Sequence, residues 1–154
     1  MRPTAGTTAP DFTVLTDTGE SLTLSSLRGK PVVLFFYPKD DTSGCTIEAC
    51  EFRDDFPRFE AGNAVILGIS PDDVKSHVKF KKKFDLPYPL LADTDKAIAL
   101  AYDVWREKSM YGRKYMGVER TTFIVDAKGK IAKVFEKVTP TGHAAQVKAA
   151  LDEL

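Results

Sequence analysis

VVLFFYPKDDTSGCTIEAC, residues 32–50, joins an apolar run, a polar loop and both cysteines of the chain. Val32 to Tyr37 is branched and aromatic without alternation, which suits a strand covered on both faces in a mostly parallel sheet. Pro38 ends that run, Lys39 to Gly44 is turn-rich, and Thr42 or Ser43 offers a hydroxyl to cap a helix start. Cys45, Ala49, Phe52, Phe56 and Phe59 then recur at alternating steps of four and three and draw one apolar helical face, so Cys45 is expected in a first helical turn. In α/β folds the carboxyl end of a central strand is where ligands meet the sheet, and a helix starting there aims free N–H groups at them.

On the N-terminal side, Phe12–Leu15 and Ser21–Leu24 flank the turn-rich Thr16–Glu20 and predict a hairpin. On the other side, Pro57 is expected to kink or restart the cysteine helix, with Asp54 or Asp55 as a cap, before Ala61–Asn63 closes it. Ala64 to Ile69 is a second buried strand, and Ser70–Asp73 starts a helix running to Phe84. A short strand at Leu90–Ala92 follows the proline-bounded loop Leu86–Pro89, and Asp93 or Thr94 caps a helix containing Ile98, Leu100 and Tyr102. Lys108–Gly117 is a polar, glycine-bearing connection. Thr121–Val125 and Ile131–Val138 bracket a second hairpin turn, and a last amphipathic helix after Thr141 puts Ala144, Val147, Leu151 and Leu154 on one face. No repeat, low-complexity tract or linker divides the chain, so residues 1–154 are expected to form one α/β domain with a thioredoxin-like fold, a mixed sheet with helices on both faces.

Composition narrows the function classes. Lys plus Arg and Asp plus Glu both number 22, so the chain lacks the cationic excess that general nucleic-acid or acidic-membrane binding needs. The one basic run, Lys79 with Lys81–Lys83, is expected to be a solvated helix face. There is no signal-type apolar segment at the N-terminus and no span-length apolar run, so a soluble cytoplasmic protein is expected. Two cysteines in such a setting point to catalysis or metal binding rather than to a static staple. His77 and His143 complete no familiar zinc spacing with them and are expected at surface or boundary positions. Neither a phosphate-binding glycine loop nor a GxSxG or HExxH motif occurs.

A thiol reacts as its thiolate, and a helix N-terminus favours that anion. A cysteine on an apolar helical face is, taken alone, more often inert core, but Cys50 changes the reading. Ideal helix geometry sets the two Cα atoms roughly 8 to 9 Å apart, whereas a disulfide needs about 7 Å or less. Either the two never pair, or the first turns unwind. The second option describes a two-stage cycle in which Cys45 attacks an electrophile, becomes a sulfenic acid and then meets Cys50. The Cys-x-x-Cys of thioredoxin-type oxidoreductases is absent.

PKDDTSGC, residues 38–45, resembles the Pro-x-x-x-Thr-x-x-Cys signature of peroxiredoxins, and TIEACEFRDDF continues it as in the bacterioferritin comigratory protein, or peroxiredoxin Q, group. APDF, GISPDD, LPYPLLAD and YGRKYMGVERTTFIVD are similar to that group in the same order. The resemblance implies a peroxidase acting on hydrogen peroxide and organic hydroperoxides, with Cys45 as peroxidatic cysteine and Cys50 as resolving cysteine. It also implies that Thr42 hydrogen-bonds thiolate and peroxide, that Pro38 shields the pocket and that Arg120 is the active-site arginine. No cofactor is implied; the partners are a peroxide and thioredoxin or a similar dithiol, and the group's members are mostly monomeric. Ser43 departs from the Thr-Pro-Gly-Cys of many members, which makes the loop slightly less rigid. Two rivals remain open at this stage: a general disulfide oxidoreductase, against which Arg120 stands where a proline is usual, and a non-enzymatic redox sensor.

Overall fold

The computed structural model describes all residues from Met1 to Leu154. Its centre is β3 (Val32–Phe36), in which every residue is buried. Alternation along this strand sends Val32, Leu34 and Phe36 into one hydrophobic cluster and Val33, Phe35 and the following Tyr37 into another. An unbroken apolar run is thus what a strand between two cores requires. β3 pairs in parallel with β4 (Val65–Ser70), which pairs in parallel with β5 (Leu90–Ala92). On its other side β3 runs antiparallel to β8 (Thr121–Val125), which pairs with β9 (Ile131–Phe135), so the five strands stand in the order β5-β4-β3-β8-β9. This is the mixed sheet of the expected thioredoxin-like fold.

Helices α1 (Ser43–Ala61), α2 (Val74–Phe84) and α4 (His143–Asp152) contribute Phe52, Phe80 and Val147 to the cluster on one face. Across the sheet, α3 (Ala97–Ala101) supplies Ile98 and Ala99, joined by Val14 and Leu22 of the expected N-terminal hairpin, β1 (Thr13–Leu15) and β2 (Ser21–Thr23). Gly68 in β4 leaves room for the side chains of its two cross-strand neighbours: a Cβ there would lie 2.9 Å from the Phe35 ring and 2.9 Å from Leu90. Phe35 can then stack on Phe52 of α1, with centroids 4.7 Å apart, which seats the cysteine helix on the sheet.

Several local expectations need correction. α1 continues through Pro57 as one helix instead of restarting, because Pro57 is exposed in its last turns while buried Phe52 and Phe59 flank it and hold the helix down. Residues 108–117 are not a loose connection but the heart of an antiparallel hairpin, β6 (Trp105–Met110) and β7 (Arg113–Val118), turning at Tyr111–Gly112. Its two-residue turn takes positive φ at both positions, the geometry that matches strand twist in a tight hairpin. Leu154 lies beyond α4 and is exposed, and Leu100 on α3 is exposed as well. His77 and His143 are buried, not peripheral, because each has polar partners inside: Asp40 and the Leu91 carbonyl for His77, Thr122 and Gln146 for His143. Of the basic run, Lys79 and Lys82 are solvated, but Lys81 leans 2.8 Å from the buried carboxylate of Asp17. No helix is long and apolar enough to cross a membrane.

Candidate active site

The loop from Tyr37 to Thr42 carries the chain from the carboxyl end of β3 to the start of α1. It is anchored at Asp40, whose carboxylate accepts from the Tyr37 hydroxyl at 2.6 Å, the Ser76 hydroxyl at 2.7 Å and His77 Nδ1 at 2.8 Å. The Asp40 N–H donates to Asp72 at 2.7 Å. His77 Nε2 also faces an acceptor, the Leu91 carbonyl at 2.8 Å, so an acceptor stands at each ring nitrogen and the surroundings favour the imidazolium. Burial by itself would lower its pKa, but the hydrogen bond and charge of Asp40 prevail and raise it.

Thr42 occupies the N-cap position with extended backbone, but its hydroxyl does not cap the helix. It donates to the Lys39 carbonyl at 2.9 Å, stays exposed and makes no hydrogen bond to the Cys45 sulfur. The first helical bond runs from the Thr46 N–H to the Thr42 carbonyl, which leaves the N–H groups of Ser43, Gly44 and Cys45 without an intrahelical acceptor. An uncapped start of this kind is an anion site held open by the backbone. Cys45 sits in that first turn as expected, buried, while Pro38 is half-buried where β3 ends.

Arg120, between β7 and β8, reaches over this turn. Its Nη2 donates to Cys45 Sγ at 3.3 Å and its Nη1 to Glu48 Oε1 at 2.7 Å. Gly44 makes the approach possible, since a Cβ there would come within 3.1 Å of Nη2. Glu48, one turn after Cys45, is fully buried and was not foreseen from the sequence; its i, i+3 spacing from Cys45 was the available signal. Its second oxygen has no hydrogen-bond partner, and burial outweighs Arg120 to push its pKa up to about 7. The guanidinium is therefore shared between a sulfur and a carboxylate that is itself easily neutralised.

Cys50 is half-buried on the same unbroken helix, and both cysteines are free thiols. Burial, ahead of the opposing Arg53 charge, raises the Cys50 pKa and keeps it a neutral thiol. The structure brings Cys45, Glu48 and Arg120 together, leaves Thr42 exposed and Pro38 half-buried in the loop that leads to Cys45, and keeps Cys50 out of the hydrogen-bonded cluster. No three His, Cys, Asp and Glu side chains converge as a metal site would require. What the cluster can do is nucleophilic: a sulfur at a helix start, a fixed cation beside it and three free N–H groups suit attack with negative charge growing on a leaving oxygen.

Residues 5–134 match the AhpC/TSA family. The chain is similar to a Coxiella burnetii protein of the peroxiredoxin bcp type, 51% identical over 142 residues that cover 92% of this chain and 94% of the relative. It is also similar to peroxiredoxin Bcp of Bacillus subtilis, 46% identical over 97% of this chain and 95% of the relative. Among solved structures, the bacterioferritin comigratory protein of Xanthomonas campestris, studied for alkyl peroxide reduction, superposes with a TM-score of 0.91 at 39% identity, over 97% of this chain and 98% of that one.

Proposed function

Since this chain belongs to the AhpC/TSA family, we infer that it works as a thiol peroxidase of the peroxiredoxin kind, with Cys45 as the peroxidatic and Cys50 as the resolving cysteine. The observation that carries the reading is the Arg120 guanidinium, 3.3 Å from a sulfur buried at a helix start. The Cys45 thiolate attacks one peroxide oxygen, so that an S–O bond forms, the O–O bond breaks, and the sulfur loses the two electrons the peroxide gains. Charge grows on the departing oxygen, which leaves as water or alcohol after taking a proton. Arg120 and the free N–H groups of the first turn meet that charge, an arrangement favouring the transition state over the bound peroxide.

Thr42 stands at the mouth. Because its hydroxyl already donates to Lys39, its lone pairs are free to accept from the peroxide O–H. Pro38 closes the pocket against water. The first turns of α1 then open, Cys50 condenses with the sulfenic acid to form an S–S bond and release water, and a thioredoxin-type dithiol reduces the disulfide. No cofactor takes part. The balanced charge and the family likeness support a single-domain monomer acting in the cytoplasm, without nucleic-acid or membrane partners.

Peroxide consumption with thioredoxin, its reductase and NADPH tests the reading against both rivals. A peroxidase consumes hydrogen peroxide and a bulky hydroperoxide continuously, a redox sensor stops after one equivalent, and a disulfide oxidoreductase reduces insulin-type disulfides without any need for peroxide.

A further inference from the structure

Tyr88, in the loop between α2 and β5, is almost wholly buried, and its hydroxyl donates to the backbone carbonyl of Ala49 at 2.7 Å. Ala49 lies between Cys45 and Cys50, in the segment whose opening the disulfide requires. A carbonyl has two lone pairs, so Tyr88 can occupy the one that the helix ladder leaves free. Its ring is anchored to the sheet, edge-on to Phe35 of β3 with centroids 5.6 Å apart, and also lies tilted against Phe56, further along α1, at 6.3 Å. Burial holds its pKa well above the ordinary value, so it remains a donor. A second tie lies nearby: Arg53 donates to the Phe84 carbonyl at 2.8 Å.

We propose that the Tyr88 hydroxyl is a positioning group for the resolution step, a latch that holds the Cys45–Cys50 segment of α1 helical and so sets how long the sulfenic acid waits for Cys50. The proposal rests on the peroxidase cycle given above. A helical turn held only by its own ladder opens at little cost, whereas opening this one strands a buried phenol without an acceptor. During the wait the sulfenic acid has two fates. It can condense with the Cys50 thiol, forming S–S and releasing water, or it can attack a second peroxide, forming another S–O bond as the O–O bond breaks, which gives the sulfinic acid and water. A tighter latch slows the first fate and leaves the second untouched, so Tyr88 governs the peroxide level at which the enzyme inactivates itself.

Tyr88→Phe removes one oxygen and keeps the ring packing. After one equivalent of peroxide, quenched-flow alkylation and mass spectrometry should show the Cys45–Cys50 disulfide forming about fivefold faster, the effect of one typical hydrogen bond. The peroxide concentration giving half sulfinic acid should rise by about the same factor, and the first reaction of Cys45 with peroxide should keep its rate constant, which a generally loosened fold would not preserve. In the reduced protein, hydrogen–deuterium exchange over residues 43–52 should accelerate to a similar degree. Unchanged exchange together with unchanged partition, or slower disulfide formation, overturns the latch. If wild type forms no Cys45–Cys50 disulfide at all, the resolving role given to Cys50 in the peroxidase reading fails instead, and the exchange measurement still decides whether Tyr88 restrains the helix.

Discussion

The Nη2 atom of Arg120 lies 3.3 Å from the sulfur of Cys45, although 75 residues separate the two in the chain. The antiparallel pairing of β8 with β3 creates this contact by placing Thr121 opposite Phe36, so that Arg120 falls beside the loop leading to the cysteine. The guanidinium is oriented from behind by Glu48 at 2.7 Å, and a planar fork can serve both partners at once.

Replacing Arg120 by Met removes the donor that faces the developing charge. The rate constant for peroxide with Cys45 should fall by about 10²- to 10³-fold, the usual effect of deleting one preorganised donor. Arg120→Lys should recover little of it, because a single ammonium cannot reach sulfur and carboxylate together. Stopped-flow oxidation of the reduced protein measures both.

Glu48 couples the site to pH. Its folded pKa is raised from 4.5 to about 7, chiefly by burial, so its contribution to stability is fully present below the unfolded value and lost as pH rises through the folded one. Wild type should therefore lose on the order of 3 kcal/mol from this group between about pH 4 and pH 8. Urea midpoints over that range should fall in wild type, and Glu48→Gln should flatten the slope.

His77 is bonded to Asp40 and, when protonated, makes with it a buried ion pair that fastens the loop before Cys45. His77→Ala leaves the Asp40 carboxylate buried without a cationic partner, held by the Tyr37 and Ser76 hydroxyls alone, and should cost about 3 kcal/mol by urea denaturation at pH 6. Because the His77 pKa is raised, the pair's contribution is present below the ordinary histidine value and disappears as pH climbs through the raised one. The cost of the substitution should accordingly shrink in alkaline buffer.

Gly44→Ala puts a methyl group within 3.1 Å of Nη2. The guanidinium must shift by a few tenths of an ångström, and the peroxide rate constant should drop by roughly tenfold or less, since small displacements of a catalytic group weaken its aim. The melting temperature should hardly change, and its constancy separates this effect from unfolding.

Much of the fold was legible because apolar periodicity reports burial directly. Val32–Phe36 and Val65–Ser70 lie between two cores and so read as continuous runs, and Cys45, Ala49, Phe52 and Phe59 trace the buried side of α1. The hairpin at 105–118 is not legible in the sequence because its residues are mostly exposed and polar, leaving no apolar alternation for a core to impose. Residue types also misplaced the two histidines, whose burial depends on Asp40 and Thr122, partners far from them in sequence. Cys45 was visible from local pattern, whereas Arg120 was visible only through family likeness, since nothing local distinguishes it from a solvated arginine. The i, i+3 spacing of Glu48 from Cys45 is local, but its pairing with Arg120 and the bond from Tyr88 to Ala49 are tertiary contacts that no window of sequence contains.

The central claim is that Cys45 is oxidised by peroxide and then captured by Cys50 from an opened helix. Peptide mapping of the reduced protein after one equivalent of hydrogen peroxide, without reductant, tests it most directly. The account predicts complete peroxide loss, one intramolecular Cys45–Cys50 disulfide and a fall in helical circular dichroism, with Cys50→Ser halting at oxidised Cys45. Persisting peroxide and two alkylatable thiols, or equal peroxide loss in Cys45→Ser, would contradict it.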